Sequence, residues 1–224
     1  METTISALAA QLQPPRPTPA VPVLPALQGL LPDRGLRPGT AVRVSGSTAL
    51  ALALLAAATT AGTWCAAIGG EGLGLVAAAE IGVALDRLHL VDRPGPHFED
   101  AAAAYADAAG ILLLRPGRPL SDRSAARLTA LARRHGCALV VDGPWPAPHV
   151  QLQVTARQWT GVGMGRGRLR GQRVLVEVGG RGAAARGRQV GLWLPDADGR
   201  VRLDAPAQRL HGVRAGHAQL AVAR

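Results

Sequence analysis

From Val44 to Gly70 the chain carries no charged side chain, and a stretch of that length can cross a bilayer as a helix. It has to be buried somewhere, either in lipid or in a protein core. Ser45-Gly46-Ser47, Thr59-Thr60 and Ala61-Gly62-Thr63 interrupt it, and its commonest residue is alanine, a weak membrane former. The better reading is a buried β–turn–α–β unit, with a strand over 41–45, a helix over 48–61 and a second strand over 63–68. Such a unit needs parallel neighbours in a sheet and helices on both faces.

The rest of the chain supplies them. Short apolar runs at 88–91, 111–114 and 137–141 alternate with helical stretches at 73–81, 98–109 and 121–135. In the last helix Ser121 is placed to cap, Leu128 and Leu131 face inward, and Arg123, Arg127, Arg133 and Arg134 face water. The expected class is α/β, a mostly parallel sheet flanked by helices. From Val150 the pattern changes: 150–155, 172–178 and 189–194 alternate between glycine- and arginine-rich turns, which predicts an antiparallel extension built from hairpins. Six prolines between Gln13 and Pro25 predict an extended arm. The division that follows is an arm over 1–26, a core domain over 27–198 and a tail over 199–224. A chain of 224 residues can form such a core without metal or disulfide staples, so Cys65 and Cys137, both in apolar runs, are expected as buried thiols.

The charge is uneven. The net charge is +10, and every basic residue is arginine, since the chain contains no lysine. Residues 1–110 hold 6 Arg and 9 acids, whereas 111–224 hold 19 Arg and 6 acids. An excess placed in one half predicts one face meant for a polyanion or an acidic partner. Between Arg157 and Arg188 there are 8 Arg and one acid, Glu177. Arg157, Arg166, Arg168, Arg170, Arg181, Arg186 and Arg188 are the candidates for contact with phosphates or with an acidic partner. Trp159 is the only aromatic near them, so base stacking is not expected. Trp64 and Trp193 are expected in the core. Trp145, between two prolines, reads either as core or as an exposed partner-binding anchor. Leu210, Val213 and Leu220 are candidate partner contacts in the tail.

The turn Ser45-Gly46-Ser47-Thr48 has the place and shape of a phosphate-binding loop, in which glycines let backbone N–H groups approach phosphates at a helix N-terminus. The consensus G-x-x-x-x-G-K-[ST] is absent, and no lysine exists to reach a β- or γ-phosphate. Thr48 is expected to cap the following helix. Glu71 reads as a surface carboxylate in a glycine turn. The Ser45-Gly46-Ser47-Thr48 turn is therefore read as a phosphate loop kept for its shape. No nucleophile elbow, paired carboxylates or metal-ligand spacing is visible, so neither enzymatic activity nor a cofactor is expected. The first residues lack the basic start of a secretory signal, which predicts a cytoplasmic protein with no membrane association.

The order of parts resembles the RecA core: a turn and helix after the first strand, the run from Cys65 to Glu71, the run from Ile81 onward, and a C-terminal basic hairpin ending Leu192-Trp193-Leu194-Pro195. The Ser-Gly-Ser-Thr turn, the segment 79–88 and the segment 159–170 are similar to the ImuA/SulA-like branch, in particular to short actinobacterial ImuA-type mutasome proteins. The RecA resemblance implies that Glu71 stands where a water-activating glutamate would, and that Arg115 follows the strand end where a metal-binding acid would be needed. Ser45, Gly46, Ser47, Thr48 and Glu71 would then be a vestigial nucleotide site. The ImuA-type resemblance implies a non-catalytic accessory protein of the SOS response, acting in damage-induced translesion synthesis and mutagenesis. It implies as partner an inactive Y-family polymerase homologue of the ImuB kind and, through it, an error-prone C-family polymerase, with DNA as a further partner. The alternatives are a DNA-binding module without a polymerase partner, a RecA-like ATP-binding protein with an unorthodox loop, and a cell-division inhibitor of the SulA type.

Overall fold

In the computed structural model, residues 19–163, 166–182, 184 and 187–204 are described. Eleven strands are present among them: β1 (Val21–Pro22), β2 (Gly35–Leu36), β3 (Ala41–Ser45), β4 (Cys65–Ile68), β5 (Leu88–Val91), β6 (Ile111–Leu114), β7 (Ala138–Asp142), β8 (Val150–Gly163), β9 (Arg166–Gly180), β10 (Arg188–Trp193) and β11 (Arg202–Leu203). The α-helices are α1 (Pro25–Gln28), α2 (Thr48–Thr60), α3 (Leu75–Ile81), α4 (Phe98–Tyr105) and α5 (Asp122–His135). Nine strands form one sheet in the order β5-β4-β6-β7-β3-β8-β9-β10-β11. It is parallel from β5 to β8 and antiparallel from there on. The α/β class with its antiparallel extension is thus observed.

Strand alternation divides the core into two layers. Cys65, Ala67, Ile111, Leu113, Ala138 and Val140 point to the face covered by α1, α2 and α3. Ala66, Ile68, Leu112, Leu114, Leu139 and Val141 point to the face covered by α4 and α5. The helix α2 has no polar face, because it is wrapped on nearly every side; nine of its residues are buried. It is 13 residues long, and no helix among the described residues is long and apolar enough to cross a membrane. By contrast α5 is strongly two-faced, burying Ala125, Leu128 and Ala132, with Ser121 Oγ accepting from the Ser124 amide as its cap. Both cysteines are buried and free, and burial pushes each thiol up to about 12.

Several expectations change. Residues 1–18 lie outside the described part, and the chain just after them is no free arm. Val21–Pro22 pairs with Gly35–Leu36, and Val23 and Leu27 are buried against α2. At the other end Arg202–Leu203 adds a strand to the sheet, while Leu210, Val213 and Leu220 lie outside the described residues. Trp145 is not an exposed anchor. It is 5% accessible and belongs to the layer with Ala125 and Leu128, because the chain after β7 folds back over α5. Trp64 is not core: it is 42% accessible, just before β4 begins, with its ring edge against His89 and the Arg87 guanidinium over it.

Candidate functional site

The turn after β3 is held in place from below. Gly46 has φ +82°, and a Cβ there would stand 2.9 Å from the Val154 carbonyl oxygen, so the turn lies directly on β8 and admits only glycine. Ser45 ends β3 with its hydroxyl buried. Ser47, not Thr48, is the cap of α2: its Oγ accepts from the Leu50 amide at 3.2 Å. That leaves the Thr48 hydroxyl free for another use. It donates to Asp142 Oδ2 at 2.8 Å.

Asp142 is the residue that sequence reasoning misses. In the sequence it merely ends the strand 137–141, whereas in the structure it closes β7, the immediate neighbour of β3. Alternation turns it toward the same face as Val140, the face of α2. A carboxylate beside a hydroxyl at a helix N-terminus is a donor set suited to Mg²⁺, so the metal acid expected before Arg115 is supplied by the next strand instead. Its Oδ2 is already engaged by a cationic side chain. Arg115 Nε donates to the same Oδ2 at 3.2 Å, while its Nη1 donates to the carbonyls of Glu71 at 2.8 Å and Gly69 at 3.3 Å. Arg115 therefore supplies in permanent form the positive charge that a metal would bring. The Glu71 side chain points away into solvent and pairs with Arg93 at 3.3 Å. Thr48, Asp142, Arg115 and the Glu71 backbone form one closed network across the mouth of the turn.

Facing the turn is the long hairpin β8–β9, which runs well past the strands expected from sequence. Two irregularities in its pairing decide what faces the turn. Between Val154 and Ala156 one extra residue, Thr155, is accommodated on β8. Val154 pairs with Val176 and Arg157 with Val174, so this bulge puts Arg157 and then Trp159 on the same face as the buried valines. Simple alternation from Val154 would have put them on the opposite one. Further out, Thr160 pairs with Gly171 and Val162 with Gly167, which bunches Arg168, Leu169 and Arg170 against Gly161. Gly161 has φ +101°, and a Cβ there would meet the Arg168 carbonyl oxygen at 2.2 Å. The result is an open cleft of about 1090 Å³ between turn and hairpin, lined by Gly46, Ser47, Thr48 and Asp142 on one side and by Arg157, Trp159, Arg168 and Arg170 on the other.

The parallel half that carries the turn matches a known family model. Residues 29–147 fit the MT3502 N-terminal domain, a span that takes in β3, α2 and every strand from there through β7. The chain belongs to the MT3502 N-terminal domain family. It is also similar to the uncharacterized protein Rv3395c of Mycobacterium tuberculosis (strain ATCC 25618 / H37Rv), with 34% identity over 156 residues, 66% of this chain and 76% of that protein. The hairpin lies beyond the part that the MT3502 model covers, so the cleft has one wall inside the family domain and one wall outside it.

The remaining arginines separate. Arg157, Arg168 and Arg170 line the cleft. Arg166 lies at the start of β9, its side chain outside the described residues, as is all of Arg186. Arg188 donates to the Gly29 carbonyl, which ties β10 to the end of α1. Arg181 is exposed beside a second cavity with Arg133 and Trp145. The single basic tract of the sequence is thus divided among three places. Three acids also border the cleft: Glu80, Asp142 and Asp196. Asp142 is held by Arg115. Asp196 is 7% accessible. Burial raises its pKa, but the amides of Arg200 and Asp198 and the Arg202 guanidinium outweigh that and hold the carboxyl below its ordinary value. Glu80 is exposed on α3, with no ion pair among the described residues.

Proposed function

We propose that this member of the MT3502 N-terminal domain family is a non-catalytic adaptor of the cytoplasm, acting in damage-induced translesion synthesis. It would join an inactive Y-family polymerase homologue and, through it, an error-prone C-family polymerase. The observation that carries the non-catalytic part is the Thr48–Asp142–Arg115 network. The side chains that a nucleotide's metal would need at the turn are already engaged within the chain. Ser47 caps its own helix, Thr48 and Asp142 are bound to each other, and an arginine stands at the cation position. A fold that keeps the turn while closing it retains the shape of a nucleotide-binding protein and leaves its surfaces for partners. The choice of pathway rests on the resemblance of the turn and of the segments 79–88 and 159–170 to ImuA-type proteins.

The test is a co-expression of the full chain with the inactive Y-family polymerase homologue of the same genome, followed by affinity purification through either protein. Co-elution in a fixed ratio is expected, together with a fall in damage-induced mutation when the gene is deleted. If the two proteins elute separately and the mutation frequency stays at the parental level, the adaptor reading is lost.

A further inference from the structure

The cleft face of the hairpin holds an arrangement that the sequence did not suggest. Trp159 is 49% accessible, so one side of its indole is open. Its edge is fixed: with the Gln172 amide turned so that its nitrogen donates to Leu194 O at 3.1 Å, its oxygen accepts from Trp159 Nε1 at 3.0 Å. Gln172 itself is buried, 8% accessible, which makes it a rigid anchor. Arg157 lies two residues before Trp159 on the same strand and face, about 7 Å along extended chain. Arg168 and Arg170 are bunched on the partner strand, on the same cleft. All three arginines are exposed, and none has a carboxylate partner among the described residues.

We propose that this face binds a single-stranded polynucleotide, with one base stacked on Trp159 and neighbouring phosphates on Arg157, Arg168 and Arg170. Phosphate binding alone would suit any polyanion. The indole, oriented by a buried hydrogen bond and left open on one face, adds a platform on which an unpaired base stacks. A duplex hides its base faces in the stack and gains nothing from it. Glu80, on the opposite wall, repels phosphates and keeps the strand on the hairpin side. Strand binding of this kind rests on the turn being closed to nucleotides, as in the functional reading above, but not on the polymerase partner.

The test uses the full chain and fluorescence anisotropy of labelled oligothymidylate and oligouridylate of about 16 nucleotides, with duplex DNA of equal length and polyglutamate as competitors. Both single strands are expected to bind with quenching of tryptophan emission, and their ratio tells DNA from RNA as the source. Trp159→Ala is expected to weaken binding roughly tenfold or more, while Trp159→Phe, which keeps a ring, retains most of the affinity. Arg168→Gln with Arg170→Gln is expected to lower the slope of log K against log salt by about 1.4, near 0.7 for each phosphate no longer neutralised. The proposal is overturned if neither single strand binds, if Trp159→Ala binds as tightly as the parent protein while its melting temperature is unchanged, or if duplex or polyglutamate competes as well as a single strand does. A failed pull-down with the polymerase homologue alongside intact strand binding would remove the adaptor reading alone.

Discussion

At the scale of single residues, Asp142 carries the most consequence. Its side chain is 15% accessible and that of Arg115 is 24%, so the pair is partly desolvated and each partner loses its counter-charge when the other is removed. Asp142→Ala takes the counter-charge from the Arg115 guanidinium, which keeps its two carbonyl acceptors, and the acceptor from the Thr48 hydroxyl; Arg115→Met leaves the carboxylate with Thr48 alone. Each is expected to destabilise the protein by about 1–3 kcal/mol in urea unfolding. The double variant should cost less than the sum by about 1 kcal/mol, the signature of residues that act through one another. Additive losses would mean that the carboxylate and the guanidinium stabilise the fold separately and that the turn is not closed by them. The sequence shows both residues but not their meeting. Arg115 and Asp142 belong to strand ends 27 positions apart, and only the order of strands in the sheet, which no local pattern encodes, places β7 between β6 and β3. The Thr48 assignment fails for a related reason: adjacent Ser47 and Thr48 are both competent caps, and the choice between them turns on whether a tertiary acceptor is within reach.

At the scale of elements, the parallel half is legible in the sequence and the hairpin is not. β3 and β6 fall on the residues expected, because each is a short apolar run bounded by turn residues, and burial on both faces leaves no other pattern. β8 and β9 extend far beyond the expected 150–155 and 172–178, since their outer halves hold glycine and arginine and bury almost nothing. What keeps those halves extended is cross-strand pairing, visible only once the partner is known. The bulge makes this testable. Thr155 is the surplus residue, so deleting it should leave Arg157 opposite Val174 and Trp159 opposite Gln172, in a now regular ladder, with the cleft face intact. Deleting Gln158 instead should bring Trp159 opposite Arg173 and turn the indole to the far face. Single-strand affinity is therefore expected to survive the first deletion and to be lost in the second, with secondary structure by circular dichroism unchanged in both. Equal affinity in the two variants would show that the face of Trp159 does not matter.

For the molecule as a whole, the sheet sets two readings of one cleft against each other. The wall inside the family domain has the outline of a nucleotide site, and the hairpin wall has the charge and the aromatic surface for a polymer of nucleotides. On the proposed reading, closing the first wall leaves the space to the second, and the charge distribution agrees: the arginine excess lies in the half that contributes the hairpin, while the half with the turn carries more acids than arginines. A ligand that binds only the folded protein stabilises it by RT ln(1 + [L]/Kd), about 2.7 kcal/mol at a hundredfold excess over Kd. For a domain of this size that corresponds to a rise in melting temperature of roughly 5–10 °C. Thermal unfolding with oligothymidylate at such an excess should show that rise, diminishing with added salt as counterions compete for the arginines. Millimolar ATP with Mg²⁺ should leave the transition where it is in the parent protein, because Arg115 already holds the carboxylate that the metal would need. A shift with Mg-ATP that disappears in Thr48→Ala would show that the turn opens to nucleotide after all, and with it the claim that the network closes the site would fall.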